Sequence, residues 1–180
     1  MRVITGKARG VQLKTPQGQQ TRPTTDRVKE ALFSILHFDL PGARVLDLFG
    51  GTGQLGIEAV SRGAKSAVFV DASDKACALI RENLKRCKME NDCTVIRMDY
   101  LQYLGVCREK FDIVLLDPPY AEVFLENSLK KITEIDILQS GGIIVTERPL
   151  EKPLLLDFPG YSRSKDYKYG NTLITLYRKD

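Results

Sequence analysis

Four carboxylates are spaced so that they could share one crevice. Asp47 lies inside the apolar run Val45-Leu46-Asp47-Leu48-Phe49, while Asp71, Asp99 and Asp117 each close another such run: Ser66 to Val70, Cys93 to Met98 and Phe111 to Leu116. In an open parallel sheet, ligands bind beyond the carboxyl ends of the strands, so acids at those ends converge. A glycine-rich turn follows Asp47, reading Gly50-Gly51-Thr52-Gly53-Gln54-Leu55-Gly56. Glycines between a strand and a helix let the backbone approach a ligand closely. Gly51, Gly53 and Gly56 also spell G-x-G-x-x-G, and Asp71 stands 20 residues after Gly51, as a dinucleotide fingerprint asks. Asp47 argues against a dinucleotide, because an acid beside the turn repels a pyrophosphate. It would instead orient an ammonium group. A ligand with an ammonium, a ribose and no phosphate is S-adenosylmethionine. NAD and a purely structural turn are the alternatives. Asp71 would accept from the ribose hydroxyls and Asp99 from the adenine amine. The plain alternative for both acids is a helix cap or a solvated loop.

The second motif is Asp117-Pro118-Pro119-Tyr120, directly after Val114-Leu115-Leu116. The two prolines restrict the backbone and offer carbonyls without competing N–H groups. The Asp117 carboxylate and the Pro118 carbonyl could both accept from one exocyclic NH2. Tyr120 offers an aromatic face for a base drawn out of its stack. An arylamine is a poor nucleophile because its lone pair is delocalised into the ring. Two acceptors would hold the nitrogen in its attacking geometry, and Asp117 could take the proton during or after transfer. The bland alternative is a turn with a buried aromatic.

These groups need a scaffold of alternating strands and helices, and the chain supplies one. Helices are expected over Gln54 to Arg62, from Asp74 onward, and over Glu122 to Ile135. Gly141-Gly142 opens a strand from Ile143 to Thr146. Two final strands, near Tyr161–Tyr167 and Thr172–Tyr177, flank the hairpin signal Gly170-Asn171. The fold class is therefore α/β: an open, mostly parallel sheet with helices on both faces and an antiparallel C-terminal hairpin. Before it, residues 2–15 read as two short strands around a glycine turn. Thr25 or Asp26 could cap a helix whose stripe is Val28, Ala31, Leu32, Ile35 and Leu36. Residues 1–20 are thus an N-terminal β-hairpin extension and residues 21–180 the main domain.

Composition excludes several classes. The chain has 180 residues, 43% hydrophobic and 28% charged, which is ordinary globular usage. No apolar stretch reaches roughly 18 residues, and the N-terminus lacks an apolar leader, so a cytoplasmic protein without membrane spans is expected. Cys77, Cys87, Cys93 and Cys107 form no C-x-x-C pair, and His37 is the sole histidine, so no metal site is expected. His37 lies beside the apolar stripe of the first helix, away from the expected crevice. That leaves a hydrolase or an oxidoreductase without an obvious proton carrier. The net charge is +4, and residues 1–30 hold seven Lys/Arg against two acids. The basic excess is therefore N-terminal, and it suits a phosphate backbone or simply a solvated face.

At this point the sequence resembles the bacterial 16S rRNA (guanine-N2)-methyltransferases of the RsmD type. The stretches that carry the resemblance are Gly6-Lys7-Ala8-Arg9-Gly10, the run Thr21-Arg22-Pro23-Thr24-Thr25-Asp26-Arg27 through Phe33, Asp47 to Gly56 with Ser61-Arg62-Gly63-Ala64, Asp117 to Tyr120, and Tyr169-Gly170-Asn171-Thr172. It covers essentially the whole chain. It implies a seven-stranded Rossmann-like methyltransferase sheet with S-adenosylmethionine as methyl donor and no metal. It implies one guanine of 16S rRNA, of the guanine(966)-N2 type, as target in an assembling small subunit. Asp117, Pro118, Pro119 and Tyr120 would be catalytic. Asp47, Phe49, Gly51, Gly53 and Asp71 would hold the cofactor, with Asp99 near the adenine and Arg22 and Thr24 near its methionine end. Lys7, Arg9, Lys14, Arg22 and Arg27 would contact RNA phosphates. Asp71 departs from the glutamate common in relatives. A monomer is expected. The same residues would also serve an adenine-N6 or protein-amide N-methyltransferase. An NAD-dependent oxidoreductase and an inactive nucleic-acid-binding module are the more distant alternatives.

Overall fold

The computed structural model describes residues 1–16, 26–119, 122–151, 154 and 157–180. One sheet organises them. Its strands are β1 Arg44–Asp47, β2 Ser66–Asp71, β3 Cys93–Arg97, β4 Phe111–Leu116, β5 Leu138–Pro149, β6 Tyr161–Arg163, β7 Tyr167–Tyr169 and β8 Thr172–Lys179. The helices are α1 Asp26–Ile35, α2 Gln54–Ser61, α3 Asp74–Cys87, α4 Tyr100–Val106 and α5 Glu122–Ile135. The spatial order is β3-β2-β1-β4-β5-β8-β6, with β7 also paired to β8. β1 to β5 are parallel and β8 runs against β5. The chain moves outward from β1 through β2 to β3, then returns to place β4 on β1's other side. That reversal makes the β1/β4 boundary the switch point where ligands bind.

Strand alternation splits the core in two. Val45, Ala67, Phe69, Ile113, Leu115, Ile143 and Val145 face one cluster, formed with α1, α2 and α3. Leu46, Val68, Val70, Val114, Leu116 and Ile144 face the other, formed with α4 and α5. β1, β2, β4 and β5 are apolar on both faces, as expected of parallel strands covered on both sides.

Eight strands fill the expected seven positions, because β6 and β7 lie end to end on β8. β6 pairs Tyr161–Arg163 with Lys179–Tyr177, and β7 pairs Tyr167–Tyr169 with Ile174–Thr172. The expected single strand breaks where Asp166 turns to accept from Arg148 Nη2 at 2.8 Å, Arg163 Nη2 at 2.9 Å and Thr175 Oγ1 at 2.6 Å. The Ser164 hydroxyl oxygen bridges the gap by accepting from the Leu176 N–H at 3.0 Å.

Other boundaries also shift. β1 ends at Asp47, so Leu48 and Phe49 already belong to the turn. β5 begins at Leu138; Gly141-Gly142 lie inside it, at an irregularity in its pairing with β4. α3 starts at Asp74 as expected, and Ser73 caps it, accepting from the Ala76 N–H at 3.3 Å. α4 has no counterpart among the expected elements.

The N-terminal segment closes one isolated bridge, Arg2 to Gln12, where two short strands were expected. Its function in the fold is to cover α2. All eight residues of α2 are buried. Gly56 packs against the Phe69 ring on the sheet side; an added Cβ would stand 2.3 Å from Phe69 Cε1. On the outer side, Glu58 accepts from the Ile4 and Thr5 N–H groups at 2.9 and 3.0 Å, and Ser61 Oγ donates to the Thr5 carbonyl at 2.6 Å. Lys29 of α1, fully buried, donates to the Arg2 carbonyl at 2.6 Å and pairs with Glu58 at 3.5 Å. Gly6 is obligatory here, since its φ is +90° and a Cβ would sit 1.7 Å from the Ser61 carbonyl oxygen.

Candidate active site

β1, β2 and β4 end side by side and deliver three acids to one place. Asp47 is the last residue of β1, in register with Leu115 of β4 and Phe69 of β2. Asp71 is the last residue of β2. Asp117 follows β4 by one residue. The turn between β1 and α2 is bent by Gly51 at φ +54° and Gly53 at φ +79°, backbone that side chains other than glycine rarely adopt. A Cβ on Gly51 would meet nothing nearer than the Phe49 carbonyl, 3.8 Å away, so this cradle is open. Gly50 is different: a Cβ there would strike Ile80 Cδ1 at 2.7 Å, so its role is packing.

Asp47 is 2% exposed and accepts from the Gly56 N–H at 3.0 Å. Burial pushes its carboxyl up to about 8; the Gly56 hydrogen bond opposes this, and the charges of Asp117 and Asp71 push it further. Asp71 holds the turn from outside, accepting from the Gly51 N–H through Oδ2 at 2.9 Å and from the Ser73 N–H through Oδ1 at 2.8 Å. Asp99 serves as the N-cap of α4. Its Oδ1 accepts from the Leu101 and Gln102 N–H groups at 2.9 and 3.2 Å, which leaves Oδ2 for a ligand donor. Phe49 packs its ring against Tyr100 and Phe124, at centroid distances of 5.2 and 6.2 Å. This aromatic group ties the β1 turn to the first turns of α4 and α5.

Two residues not singled out in the sequence belong to the same region. Gln54, the first residue of α2, buries its Oε1 with no hydrogen-bond partner among the described residues. A buried orphan acceptor beside a ligand turn is a place for a ligand donor. Asn83 of α3 is fully buried. It donates to the carbonyls of Thr52 and Lys14 at 2.9 and 3.1 Å and accepts from the Lys14 N–H at 2.7 Å. It thus fastens the glycine turn to the N-terminal segment. Gln54 carries no sequence signal beyond its place in the motif, and Asn83 is visible only as a polar residue on the buried stripe of α3.

Arg22, Thr24 and Tyr120 lie outside the described residues. Pro118 is half-buried and Pro119 exposed, directly after Asp117. The basic N-terminal residues are dispersed. Lys7 pairs with Asp92 at 2.7 Å, at the amino-terminal edge of β3 and so at the opposite end of the sheet from the acids. Lys14 pairs with Glu82 on α3. Arg9 and Arg27 are exposed, with no ion pair among the described residues. His37 is exposed beyond the end of α1, edge-on to Phe38. No group of metal-ligating residues occurs among the described residues. Nor, among them, is any helix long and apolar enough to cross a membrane.

An open sheet with β8 reversed, its switch point carrying a glycine turn and strand-end acids, defines a Rossmann-like methyltransferase fold. The solved structure of yhhF from Escherichia coli, provisionally described as a methyltransferase, superposes with a TM-score of 0.90 at 28% identity, covering 100% of this chain and 98% of that one. The chain belongs to the family described as conserved hypothetical protein 95, whose model matches residues 1–178. It is 38% identical to YlbH of Bacillus subtilis, provisionally named an rRNA methyltransferase, over 99% of both chains. It is 34% identical to Ribosomal RNA small subunit methyltransferase D of Haemophilus influenzae, over 86% of this chain and 82% of that protein.

Proposed function

We propose that this protein transfers the methyl group of S-adenosylmethionine to the exocyclic N2 of one guanine in 16S rRNA, in the assembling small subunit. The observation that carries this reading is the exit of Asp117-Pro118-Pro119 from β4 beside the glycine turn of β1 and the buried Asp47. The names of the relatives support RNA of the small subunit as substrate.

The residues present fit this cosubstrate. The open cradle at Gly51, the orphan Gln54 Oε1 and the buried Asp47 carboxyl suit an amino-acid moiety; Asp71 and the free oxygen of Asp99 suit a ribose and an adenine amine. When bound, S-adenosylmethionine supplies a methyl group made electrophilic by its sulfonium. Asp47 would meet the ammonium of the cosubstrate and so set the position of its methionine chain. Phe49, backed by Tyr100 and Phe124, walls the site against water. Asp117 and the Pro118 carbonyl accept from the guanine amine and aim its lone pair. With the cosubstrate bound, the amine nitrogen would gain the methyl as the sulfur–methyl bond breaks and S-adenosylhomocysteine is left, and it would shed a proton that Asp117 is placed to hold. Arg9 and Arg27, with Lys7 and Lys14 where their surface pairs open, contribute contacts to the RNA backbone.

The test uses small subunits from cells lacking this gene, incubated with the protein and labelled S-adenosylmethionine. The rRNA is digested and its nucleosides identified by mass spectrometry. N2-methylguanosine at one position is the expected product. N6-methyladenosine would move the target to another base, and unlabelled rRNA would overturn the reading.

A further inference from the structure

We propose that the outer flank of α3, where Arg81, Lys85 and Lys88 stand in one row, holds rRNA backbone at a distance from the target base. The inference rests on the rRNA reading above and goes beyond it by naming where so large a substrate is gripped.

The row follows from helical spacing. Residues 81, 85 and 88 stand at i, i+4 and i+7, so they share one face of α3, beside the buried stripe of Cys77, Ile80, Leu84 and Cys87. All three are exposed, and none has an ion pair among the described residues. Arg81 Nη2 donates to the Val95 carbonyl at 3.3 Å, which sets this face next to β3, the strand at one edge of the sheet. Asp74 begins the same face and pairs with Arg97 of β3 at 2.9 Å. Ala78, small and exposed, leaves the row open to approach. From Arg81 to Lys88 the row runs about 10 Å at roughly 1.5 Å per residue. It leads away from the acids, because α3 starts at the end of the sheet where β2 delivers Asp71 and runs back along the strands. β3 also stands three strand positions from β4, about 14 Å sideways at roughly 4.8 Å per strand. The row is thus placed to serve binding and not the methyl transfer itself.

The charge balance of this flank favours a polyanion. Residues 74–92 hold five Lys/Arg and four acids. Three of those acids are matched from outside the stretch: Asp74 by Arg97, Glu82 by Lys14 and Asp92 by Lys7. Glu90, exposed in the turn after α3, is the one acid left to face five cations. The same pairs spend the cations of the N-terminal segment, where Arg2 also meets Asp26 at 3.2 Å. Helix stability does not account for the row. Lys85 lies in the last turn, where a cation opposes the helix dipole, but Arg81 lies before that turn. Lys88 closes the helix at φ 55° and ψ 44°, left-handed backbone in which glycine is the usual residue. A lysine there strains the cap, so its side chain is not explained by the helix it ends.

The experiment compares the parent protein, Arg81→Gln/Lys85→Gln/Lys88→Gln, Lys88→Gly alone, and Arg108→Gln/Lys130→Gln/Lys131→Gln, which removes the same charge from the α4–α5 side of the sheet. Binding to small subunits from cells lacking the gene, and to protein-free 16S rRNA, is measured over a salt series, and methylation by steady-state kinetics. We expect the α3 triple variant to bind both about tenfold more weakly or worse, with KM for subunits raised to match, kcat within about twofold and S-adenosylmethionine affinity unchanged. The slope of log affinity against log salt should fall by about 2, near 0.7 per lost single-strand phosphate contact. Lys88→Gly should melt no lower than the parent yet bind severalfold more weakly, a split that a merely structural lysine would not produce. Triple-variant binding equal to the parent's, or weakened no more than by the α4–α5 variant, overturns the proposal. A loss on subunits with binding to protein-free rRNA intact would assign the face to an acidic ribosomal protein and overturn it as well. A parent that binds subunits without methylating them overturns the enzymatic reading while the binding comparison still decides the α3 row. A parent that does not bind subunits overturns both.

Discussion

Gly56 donates its backbone N–H to Asp47 Oδ2 at 3.0 Å, yet the carboxyl it touches is held at about 8. One neutral donor does not offset the removal of an ion from water; several charge-assisted bonds would be needed. Asp47 is thus neutral below that value in the free protein, and would ionise on meeting the ammonium proposed for it. Binding then expels a proton. Affinity for S-adenosylmethionine should rise by close to tenfold per pH unit between about pH 6 and about pH 8 and stop rising above it. Calorimetry in two buffers of different ionisation enthalpy reads the released proton. Asp47→Asn should remove both the proton release and the pH slope.

The same carboxyl makes the free protein pH-sensitive in stability. Its folded value is raised above the unfolded value of about 4, so its stabilising contribution is complete below about 4 and is lost as pH rises towards about 8. An asparagine keeps the Gly56 hydrogen bond through its own carbonyl oxygen and cannot ionise. The melting temperature of Asp47→Asn should therefore gain on that of the parent as pH rises across this window. A constant difference between the two proteins would show that Asp47 does not titrate there.

Asp117 should matter to rate and little to cofactor binding. On the proposed mechanism, Asp117→Ala removes one acceptor of the target amine and the place for its proton. We expect kcat to fall by about 10²- to 10⁴-fold, the range for lost general acid–base assistance. The dissociation constant of S-adenosylmethionine should stay within a few-fold, because the residues proposed to hold it are Asp47, Asp71 and the glycine turn. Full activity in this variant would remove Asp117 from the mechanism.

Much of this site is legible in the sequence because it obeys local rules. β4 and α5 have the boundaries that their apolar runs suggest, and β1, β2 and β4 each deliver an acid to the same end. What the sequence conceals falls into two kinds. A helix cap is one of the sequence's readings of Asp99, but the helix it opens is hidden: Tyr100, Tyr103 and Leu104 form a buried i, i+3, i+4 face, yet seven residues are too short a helix to stand out. Glu58 and Lys29 look like solvated helix residues and Asn83 like a polar break in the buried stripe of α3, because periodicity sorts positions by apolarity and a buried polar group is visible only with its partner. Those partners are distant: Thr5 is 53 residues from Glu58 and Lys14 is 69 from Asn83. The partner of Lys7 is hidden for the same reason, since it meets Asp92 85 residues away.

Asn83 offers a prediction that separates position from chemistry. Its amide fills all three bonds described for it, two to Lys14 and one to the Thr52 carbonyl of the glycine turn. Asn83→Asp keeps the shape and the acceptor but points a carboxylate at two carbonyls. The turn should loosen, raising KM for S-adenosylmethionine about five- to tenfold, equivalent to about 1–1.4 kcal/mol of lost loop restraint. With the cofactor saturating, kcat should remain within about twofold. Initial-rate kinetics with each substrate varied in turn reads this split, and an equal fall in kcat would place Asn83 closer to the chemistry.

Glu58 gives the sharpest test of how the N-terminal segment is held. Its carboxylate accepts from Ile4, Thr5 and Arg62 and faces the buried Lys29 ammonium. Burial lowers the Lys29 pKa, and Glu58 is the largest influence keeping that nitrogen charged. Glu58→Ala strands the ammonium beside the Arg2 carbonyl and frees two backbone donors. Removing one partner of a buried pair costs about 3–5 kcal/mol, so urea unfolding should show a loss of that size. Limited proteolysis should cut within residues 1–16 before the sheet opens. Adding Lys29→Met to Glu58→Ala removes the stranded charge and should recover part of the stability. Strictly additive losses in that double-mutant cycle would mean that the two side chains do not depend on each other.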